Sequence, residues 1–507
     1  MAKGLHPERS SGVSFVERLP AADFPLRLVD LDLTASSPRD SRSDRARFED
    51  GLCEALGSPE VNVPVSVVRE LADILAASDR KVTVTVRSSG EAGERWEATR
   101  VRSSADPAPW YLAVLDLGPA RVWGQLLDGE TGRVIVTAMG DGPAEVIERM
   151  GLRCGAVKGS IEHVVIAGGR AVVDRFLGTG PLRLPADPHV LPVPPSGMVA
   201  ASELGLEGYV SAGAVVVAVP GARESLGGDA VGGAVVSGIA NGESVCLYID
   251  IGPEGAAIVG NREGLLAASL PSGPVFEGGG LSNGVGAVPG AIEGVTIDPR
   301  SLKAAVSTID DAAPVGLCGA GVIETVAGLL RAGIVRTDGR FDATASSPRL
   351  RKAEGQWEFV LVPAVGSGTG ADIVITESDL EGVMQTKAAV YAGMTALLKA
   401  ASLDWAQLHK ILIGGMPGRR LGIEGAMAIG LFPQLEPGRF EFIGNASLLA
   451  ARAVATSRRL TGRAGQIAAA LRTVDLAGDP LFQAEYEAAL LMPQPGGRGS
   501  GTAGGRM

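Results

Sequence analysis

The chain has 507 residues, 46% of them apolar and only 4% aromatic, with 71 glycines and a formal net charge of −11. This length allows two or three domains with a large buried core, and the glycine content suits closely packed α/β layers. The negative charge argues against nucleic acid or an anionic membrane as the main partner, and no apolar run reaches the roughly 18 residues of a membrane span. The N-terminus, Met1-Ala-Lys-Gly-Leu-His6, lacks the apolar centre of a secretory signal, so the expected setting is cytoplasmic. Cys53, Cys154, Cys246 and Cys318 lie far apart with no C-x-x-C pair. That spacing excludes a local zinc knuckle or iron–sulfur motif and reads as four small hydrophobes in a reduced compartment.

Residues 1–23 carry no period and read as a flexible leader. Residues 24–103 read as a small α/β domain, with strands at 24–31 and 82–86 and amphipathic helices at 44–56 and 64–77. A Pro-rich linker, 104–109, leads to a larger domain over 110–492. It opens with Tyr111-Leu-Ala-Val-Leu-Asp-Leu-Gly118, an apolar run that ends in Asp116-x-Gly118. Two further strands, 122–128 and 134–138, meet at Gly129 and Gly132, and His163-Val-Val-Ile-Ala-Gly-Gly169 is a strand running into a glycine pair. The stretch 178–197 is Pro-rich and irregular; strand 215–219 and a small-residue helix at 230–239 follow.

The same plan then recurs. Residues 245–251 form a buried-type strand ending in Asp250-x-Gly252, Glu254-Gly255 turns the chain into 256–259, and a third run covers 265–270. A glycine-dense stretch, 273–290, carries one carboxylate, Glu277. Gly316-Leu-Cys-Gly-Ala-Gly321 opens a helix, where the glycines serve either an anion or close helix–strand packing. Thr376-x-x-Asp379 reads as a capping box ahead of a long core helix. Lys410-Ile-Leu-Ile-Gly-Gly415 is the second strand with a glycine pair, and a loop with Arg419 and Arg420 follows. Two short helices after Ser457 and a Gly/Arg tail from 493, expected to be disordered, end the chain. The lobes are placed at about 110–240 and 241–457, with C-terminal helices over 458–492.

A lone glycine-rich loop is usually just a turn, but an internal duplication is a fold-level signal. Strand-end carboxylates can hold Mg²⁺ or a water, and glycine-exposed amides suit phosphate oxygens. Other chemistries lack support. There is no Gly-Lys dipeptide and so no Walker loop. Gly499-x-Gly501-x-x-Gly504 lies in the tail with no strand before it, and Gly280-Leu-Ser282-Asn-Gly284 follows a glycine run rather than a strand.

The duplicated Asp-x-Gly hairpins and Gly-Gly strand ends resemble the actin/Hsp70/sugar-kinase ATPase superfamily. More narrowly, Gly273-Pro-Val-Phe-Glu-Gly-Gly-Gly280, Gly316-Leu-Cys-Gly-Ala-Gly321, Thr386-Lys-Ala-Ala-Val-Tyr-Ala-Gly393 and Phe442-Ile-Gly-Asn-Ala-Ser447 resemble the reductive activators of corrinoid proteins, over roughly residues 25–495. The resemblance implies an α/β fold of duplicated actin-like lobes around a cleft, preceded by a small α/β domain. It implies an ATP-driven one-electron reduction of cob(II)alamin to cob(I)alamin in a partner corrinoid protein. On that pattern Asp116 and Asp250 position Mg²⁺ and water, and Glu277, counted with them as catalytic, lines the nucleotide pocket with the adjacent glycines. Gly118, Gly252, Gly273, Gly278 and Gly279 line the ATP phosphates, while Gly414, Gly415 and Gly418 approach the adenosine. A homodimer is compatible with the pattern.

The chain departs from the family in two ways. The ferredoxin-type cysteine cluster is missing, so no iron–sulfur cluster is expected in this chain and the electron would come from a separate ferredoxin-like protein. The phosphate hairpins also differ. Asp116-Leu-Gly-Pro-Ala-Arg121 stands for Asp-x-Gly-Thr-Thr-Thr, and Asp250-Ile-Gly-Pro-Glu-Gly-Ala256 for Asp-x-Gly-Thr-Asn-Gly-Glu. Pro119 and Pro253 each remove a backbone donor. Losing several donors at about 1.5–3 kcal/mol each weakens ATP by orders of magnitude. Two readings therefore stand side by side, an ATP-using activator and a non-hydrolysing scaffold of the same fold. A small-molecule kinase is a third, without an identifiable substrate base.

Overall fold

The duplicated pattern of the sequence becomes two sheets that share the order of five strands. The computed structural model describes residues 23–33, 41–77, 79–89, 95–105, 109–179, 198–222, 226–345, 347–415 and 421–493. Nearly all of the expected leader and tail, most of the Pro-rich stretch, and the loop 416–420 with Gly418 lie outside them. The chain divides into two units, Met1–Val236 with Ala446–Ala470, and Ser237–Asn445 with Leu471–Met507.

The first unit begins with the small domain. Its elements are β1 (Leu26–Asp32), α1 (Asp44–Leu56), β2 (Val61–Asn62), α2 (Val65–Ala77), β3 (Lys81–Ser89) and β4 (Arg95–Ser103). The sheet runs β1-β3-β4-β2, and Phe48, Leu52, Val82, Val84 and Val86 are wholly buried in its core. Ser43 caps α1 by accepting from the Ala46 amide, and Gly57 ends it in a left-handed turn. Strand β4 escapes the sequence reading because Arg95, Glu97, Arg100 and Arg102 interrupt its apolar positions. Trp96 on β4 is buried with the guanidinium of Arg27 at 5.1 Å and that of Arg458 at 5.4 Å from its ring. Arg100 bonds Glu162 at 2.7 Å, tying β4 to the sheet that follows. Burial raises the Glu162 carboxyl, and Arg100 opposes that shift.

That second sheet is built from β5 (Tyr111–Leu117), β6 (Val122–Asp128), β7 (Val134–Gly140), β8 (Ile161–Gly168), β9 (Val199–Ala200) and β10 (Val210–Ala218). Between and after its strands come α3 (Pro143–Cys154), α4 (Arg170–Leu177) and α5 (Gly228–Ser237). The order is β7-β6-β5-β8-β10-β9. A three-strand antiparallel meander thus has parallel strands added beside its first strand.

The second unit repeats this order in five strands and adds its sixth at the other edge. It contains β11 (Cys246–Ile251), β12 (Gly255–Asn261), β13 (Gly264–Leu270), β14 (Ala291–Ile297), β15 (Ala304–Thr308), β16 (Gly316–Leu317) and α6 (Gly319–Arg331). Then come β17 (Leu350–Ala353), β18 (Gln356–Val362), β19 (Ile373–Thr376), α7 (Glu377–Ala400), β20 (Lys410–Gly415), α8 (Ile423–Ile429) and β21 (Phe440–Gly444). The chain re-enters the first unit as α9 (Ala446–Thr456) and α10 (Arg458–Ala470), then returns as β22 (Arg472–Thr473) and α11 (Pro480–Ala489). The main sheet runs β21-β20-β11-β12-β13-β22, with two smaller three-strand sheets beside it. The fold is α/β, with duplicated actin-like lobes and a small α/β domain ahead of them. The sequence reading carries the second lobe to about residue 457, whereas α9 and α10 pack with the first unit. On α9, Ala450 fits against Gly232 of α5, where a β-carbon on the glycine would lie 2.3 Å from the alanine's own.

The long helix α7 opens with the expected capping box. The Thr376 hydroxyl accepts from the Asp379 amide, and the Asp379 carboxylate accepts from the Thr376 amide. One turn of α7 carries Lys387, which is fully buried and donates to the carbonyls of Ala489 and Leu491 at the end of α11. Burial pushes its ammonium down from 10.5 to about 7. The folded chain then binds fewer protons than the unfolded one between those two values, so stability should rise as pH climbs through that window. Replacing Lys387 with Met should flatten the rise. It should also loosen α11, because two carbonyls lose their donor; urea midpoints measured across the window for both proteins test this.

Candidate functional site

Strand β11 lies between β12, antiparallel, and β20, parallel. Side chains alternate along a strand, so Leu247, Ile249 and Ile251 enter the apolar core while Tyr248 and Asp250 share the opposite face. Asp250 stands opposite Ala256 on one side and Gly414 on the other, and Ile251 stands opposite Gly415. The two glycines make room for this pair of polar groups. A β-carbon at Gly414 would lie 2.4 Å from the Tyr248 hydroxyl, and one at Gly415 would lie 2.5 Å from Asp250 Oδ1. Gly415 also has φ +89°, a conformation that disfavours a side chain. Asp250 is 8% exposed and Tyr248 wholly buried, with the Tyr248 hydroxyl 3.5 Å from Asp250 Oδ2.

Glu277 reaches the same place from the glycine-rich loop. A β-carbon at Gly252 would lie 3.3 Å from Glu277 Oε1 and 4.0 Å from Asp250 Oδ1, so both carboxylates border the space over this glycine. Ser272, 2% exposed, donates its hydroxyl to the Gly252 carbonyl and so ties the hairpin turn to the loop that carries Glu277. Asp250, Glu277, Gly252, Gly414 and Gly415 are therefore brought together. Sequence reasoning missed Tyr248 and Ser272. Tyr248 is two residues before Asp250 and hence on its face of the strand, a signal present in the period; Ser272 has no such signature.

The remaining glycines divide by role. Gly278 and Gly279 donate their amides to Val275 and Pro274 at 3.0 and 2.9 Å, which closes the turn at 275–277. A β-carbon at Gly278 would collide with the Val285 carbonyl at 2.1 Å, so this glycine is demanded by packing within the loop. Gly273 has φ +58° and open space around it. The glycines that open α6 also serve packing. Beta-carbons at Gly319 and Gly321 would fall 1.8 Å from the Phe276 carbonyl and 2.0 Å from that of Ile292. Ser282 bonds Asp379 through its amide and its hydroxyl, at 2.8 and 3.1 Å, a loop anchor rather than a nucleophile's setting.

In the first unit Asp116 occupies the equivalent register. It is half-buried on β5, opposite Trp123 on β6 and Ala167 on β8, and the next pair is Leu117 with Gly168. A β-carbon at Gly168 would meet the Leu117 carbonyl at 2.5 Å, as Gly415 meets Ile251 in the other unit. Gly118 donates its amide to the Arg121 carbonyl at 3.0 Å, closing the hairpin tip. His163 on β8 is buried and held neutral, its imidazolium pushed down to about 3 by burial and then by Arg87.

Among the described residues no group of three or more His, Cys, Asp or Glu side chains is arranged to hold a metal ion. Two carboxylates bordering one glycine nevertheless fit Mg²⁺, which keeps several waters and takes one or two carboxylates along with substrate phosphates. Gly415→Ala should destabilise the protein by about 2 kcal/mol or more, because strain and a clash with Asp250 combine. Gly280→Ala, at φ +72° with nothing nearby, should cost only about 1 kcal/mol; urea denaturation of both variants checks the difference.

Comparison with known proteins matches residues 244–498 to the family model described as the C-terminal ASKHA domain of RACo, and residues 17–102 to the RACo linker region. The chain is 32% identical over 260 residues to the corrinoid activation enzyme RamQ of Eubacterium limosum, an alignment covering 50% of this chain and 44% of that protein. It is 27% identical over 274 residues to a Co(II) methylated amine-specific corrinoid protein reductase of Methanosarcina barkeri, covering 50% and 46%. The matched part is thus less than half the length of either curated relative. A solved reductive activator for a corrinoid, iron–sulfur protein superimposes with a TM-score of 0.87 at 29% identity, over 93% of this chain and 80% of that one.

Proposed function

The chain belongs to the family of the reductive activators of corrinoid proteins, and on that premise we propose that it activates a partner corrinoid protein in a methyltransferase system. A separate ferredoxin-like iron–sulfur protein supplies one electron, ATP binding and hydrolysis supply the free energy, and the partner's cobalt passes from Co(II) to Co(I). Asp250, with Glu277 beside it, would hold Mg²⁺, and Asp116 would serve as its counterpart in the first lobe. The metal, when bound, neutralises charge on the phosphate chain; the protein's part is positioning and electrostatics. Gly252 lets the phosphates approach, the loop from Gly273 to Gly279 shapes the wall, and Gly414 and Gly415 make room for Tyr248 and Asp250 and so hold that pair at the strand end. We place the protein in the cytoplasm, with a homodimer compatible with this role.

The observation that carries the reading is the twofold register. An acid at the end of a central strand faces a glycine or alanine on the neighbouring parallel strand in both units, Asp116 with Ala167 and Asp250 with Gly414. One observation favours the second reading, a scaffold that binds the corrinoid protein without hydrolysis. The Gly118, Gly278 and Gly279 amides are engaged within their own turns, and Pro119 and Pro253 have none to offer.

Calorimetric titration with Mg·ATP separates the two. Micromolar binding, followed by ATP-dependent loss of the cob(II)alamin absorbance in a corrinoid protein supplied with a reduced ferredoxin, supports the activator. Absence of heat up to millimolar Mg·ATP in folded protein rejects ATP use and leaves the scaffold, for which capture of the corrinoid protein itself becomes the assay.

A further inference from the structure

The tip of the first hairpin, Gly118-Pro-Ala-Arg121, presents fewer donors than a phosphate loop ordinarily does. Pro119 has no amide hydrogen, and the Gly118 amide is bonded to the Arg121 carbonyl at 3.0 Å. The turn is closed tightly enough that a β-carbon on Gly118 would lie 2.7 Å from that same carbonyl oxygen. No hydroxyl stands between Asp116 and Val122. What the tip does present is a guanidinium. The Arg121 side chain is 53% exposed and pairs at 2.5 Å with Asp141, which is 79% exposed. An ion pair so open to water contributes little, and an anion with more charge displaces the carboxylate readily. Asp141 is itself held by its backbone, which donates to Glu145 at 2.7 Å, while Arg149 pairs with Glu145. Its carboxylate can therefore release Arg121 without disturbing the helix that follows.

We propose that Arg121 is a phosphate-binding residue, whose guanidinium leaves Asp141 to hold the phosphate chain of a nucleotide beside Asp116. A guanidinium offers several donors in a planar fork that matches phosphate oxygens, so one side chain replaces several lost amide and hydroxyl donors. Asp141 then acts as an internal competitor that occupies Arg121 when no nucleotide is bound. This inference rests on the nucleotide-binding reading above and adds the residue that makes it compatible with Pro119.

The test is calorimetric titration of the full chain and its variants with Mg·ATP, adenosine and inorganic tripolyphosphate. Arg121→Ala should weaken Mg·ATP by roughly ten- to a hundredfold, the loss of one or two charge-assisted bonds, and leave adenosine unchanged. Arg121→Lys should fall between, and Asp141→Asn should tighten Mg·ATP, most visibly at low salt. Unchanged Mg·ATP affinity in Arg121→Ala would overturn the inference while leaving nucleotide binding intact. Equal losses for Mg·ATP and adenosine would reduce Arg121 to a structural role, and tripolyphosphate binding as tight as Mg·ATP would overturn the nucleotide assignment. A wild-type chain that binds neither nucleotide nor adenosine would overturn this inference and the ATP-using reading together.

Discussion

Asp250 is a carboxylate placed on a strand whose other members belong in an apolar core, and its surroundings are shaped by the cost of keeping that charge nearly out of water. An ionised group in such a place needs partners and room. The parallel register of β11 with β20 supplies the room, since the two positions opposite the strand end are glycines. Any larger residue at 415 would meet the carboxylate or the Ile251 carbonyl, and any at 414 would meet the Tyr248 hydroxyl. Tyr248 and the glycine pair are thus parts of one arrangement, with the tyrosine ring filling volume that the glycines vacate.

The same constraint explains why the duplication is visible at the level of single residues. Asp116 and Asp250 each stand on the first strand of an antiparallel meander, and each faces the last turn of the parallel strand added beside it. In the first unit the opposite residue is Ala167 and the glycine follows it; in the second both positions are glycine. The first acid is correspondingly more exposed than the second. The hairpin tips have also diverged, one carrying Arg121 and the other Glu254 one position earlier, so the two tips carry opposite charge. The scaffold of the site is duplicated while the chemistry at its tips is not.

Stability rests on a different set of polar contacts. Glu162 and Lys387 are charged residues inside their units, one countered by Arg100 and the other by two carbonyls at the end of α11. In both cases burial disfavours the charge and a specific partner answers it. Each ties an element distant in sequence to a core: the small domain in the first case and the last helix in the second. They are anchors, set apart from the Asp250 region.

The alternation of strand and turn, the two Asp-x-Gly hairpins, the two Gly-Gly strand ends and the capping box at Thr376 were all legible in the amino-acid order, because each is a local pattern with a local physical cause. Length, period and turn residues sufficed for the α/β class and its internal repeat. Strand β4 was not legible, since charged residues interrupt its apolar positions and only pairing with β3 and β2 makes it a strand. The assignment of α9 and α10 to the first unit, the use of the α6 glycines for packing and the tie from Ser272 to Gly252 were likewise decided only in three dimensions. Each depends on which backbone carbonyl or side chain comes to lie opposite a position. A glycine required by a left-handed turn, one required by a neighbour 2 Å away and one that leaves space for a ligand are written with the same letter. Only the contacts made across the folded chain distinguish them.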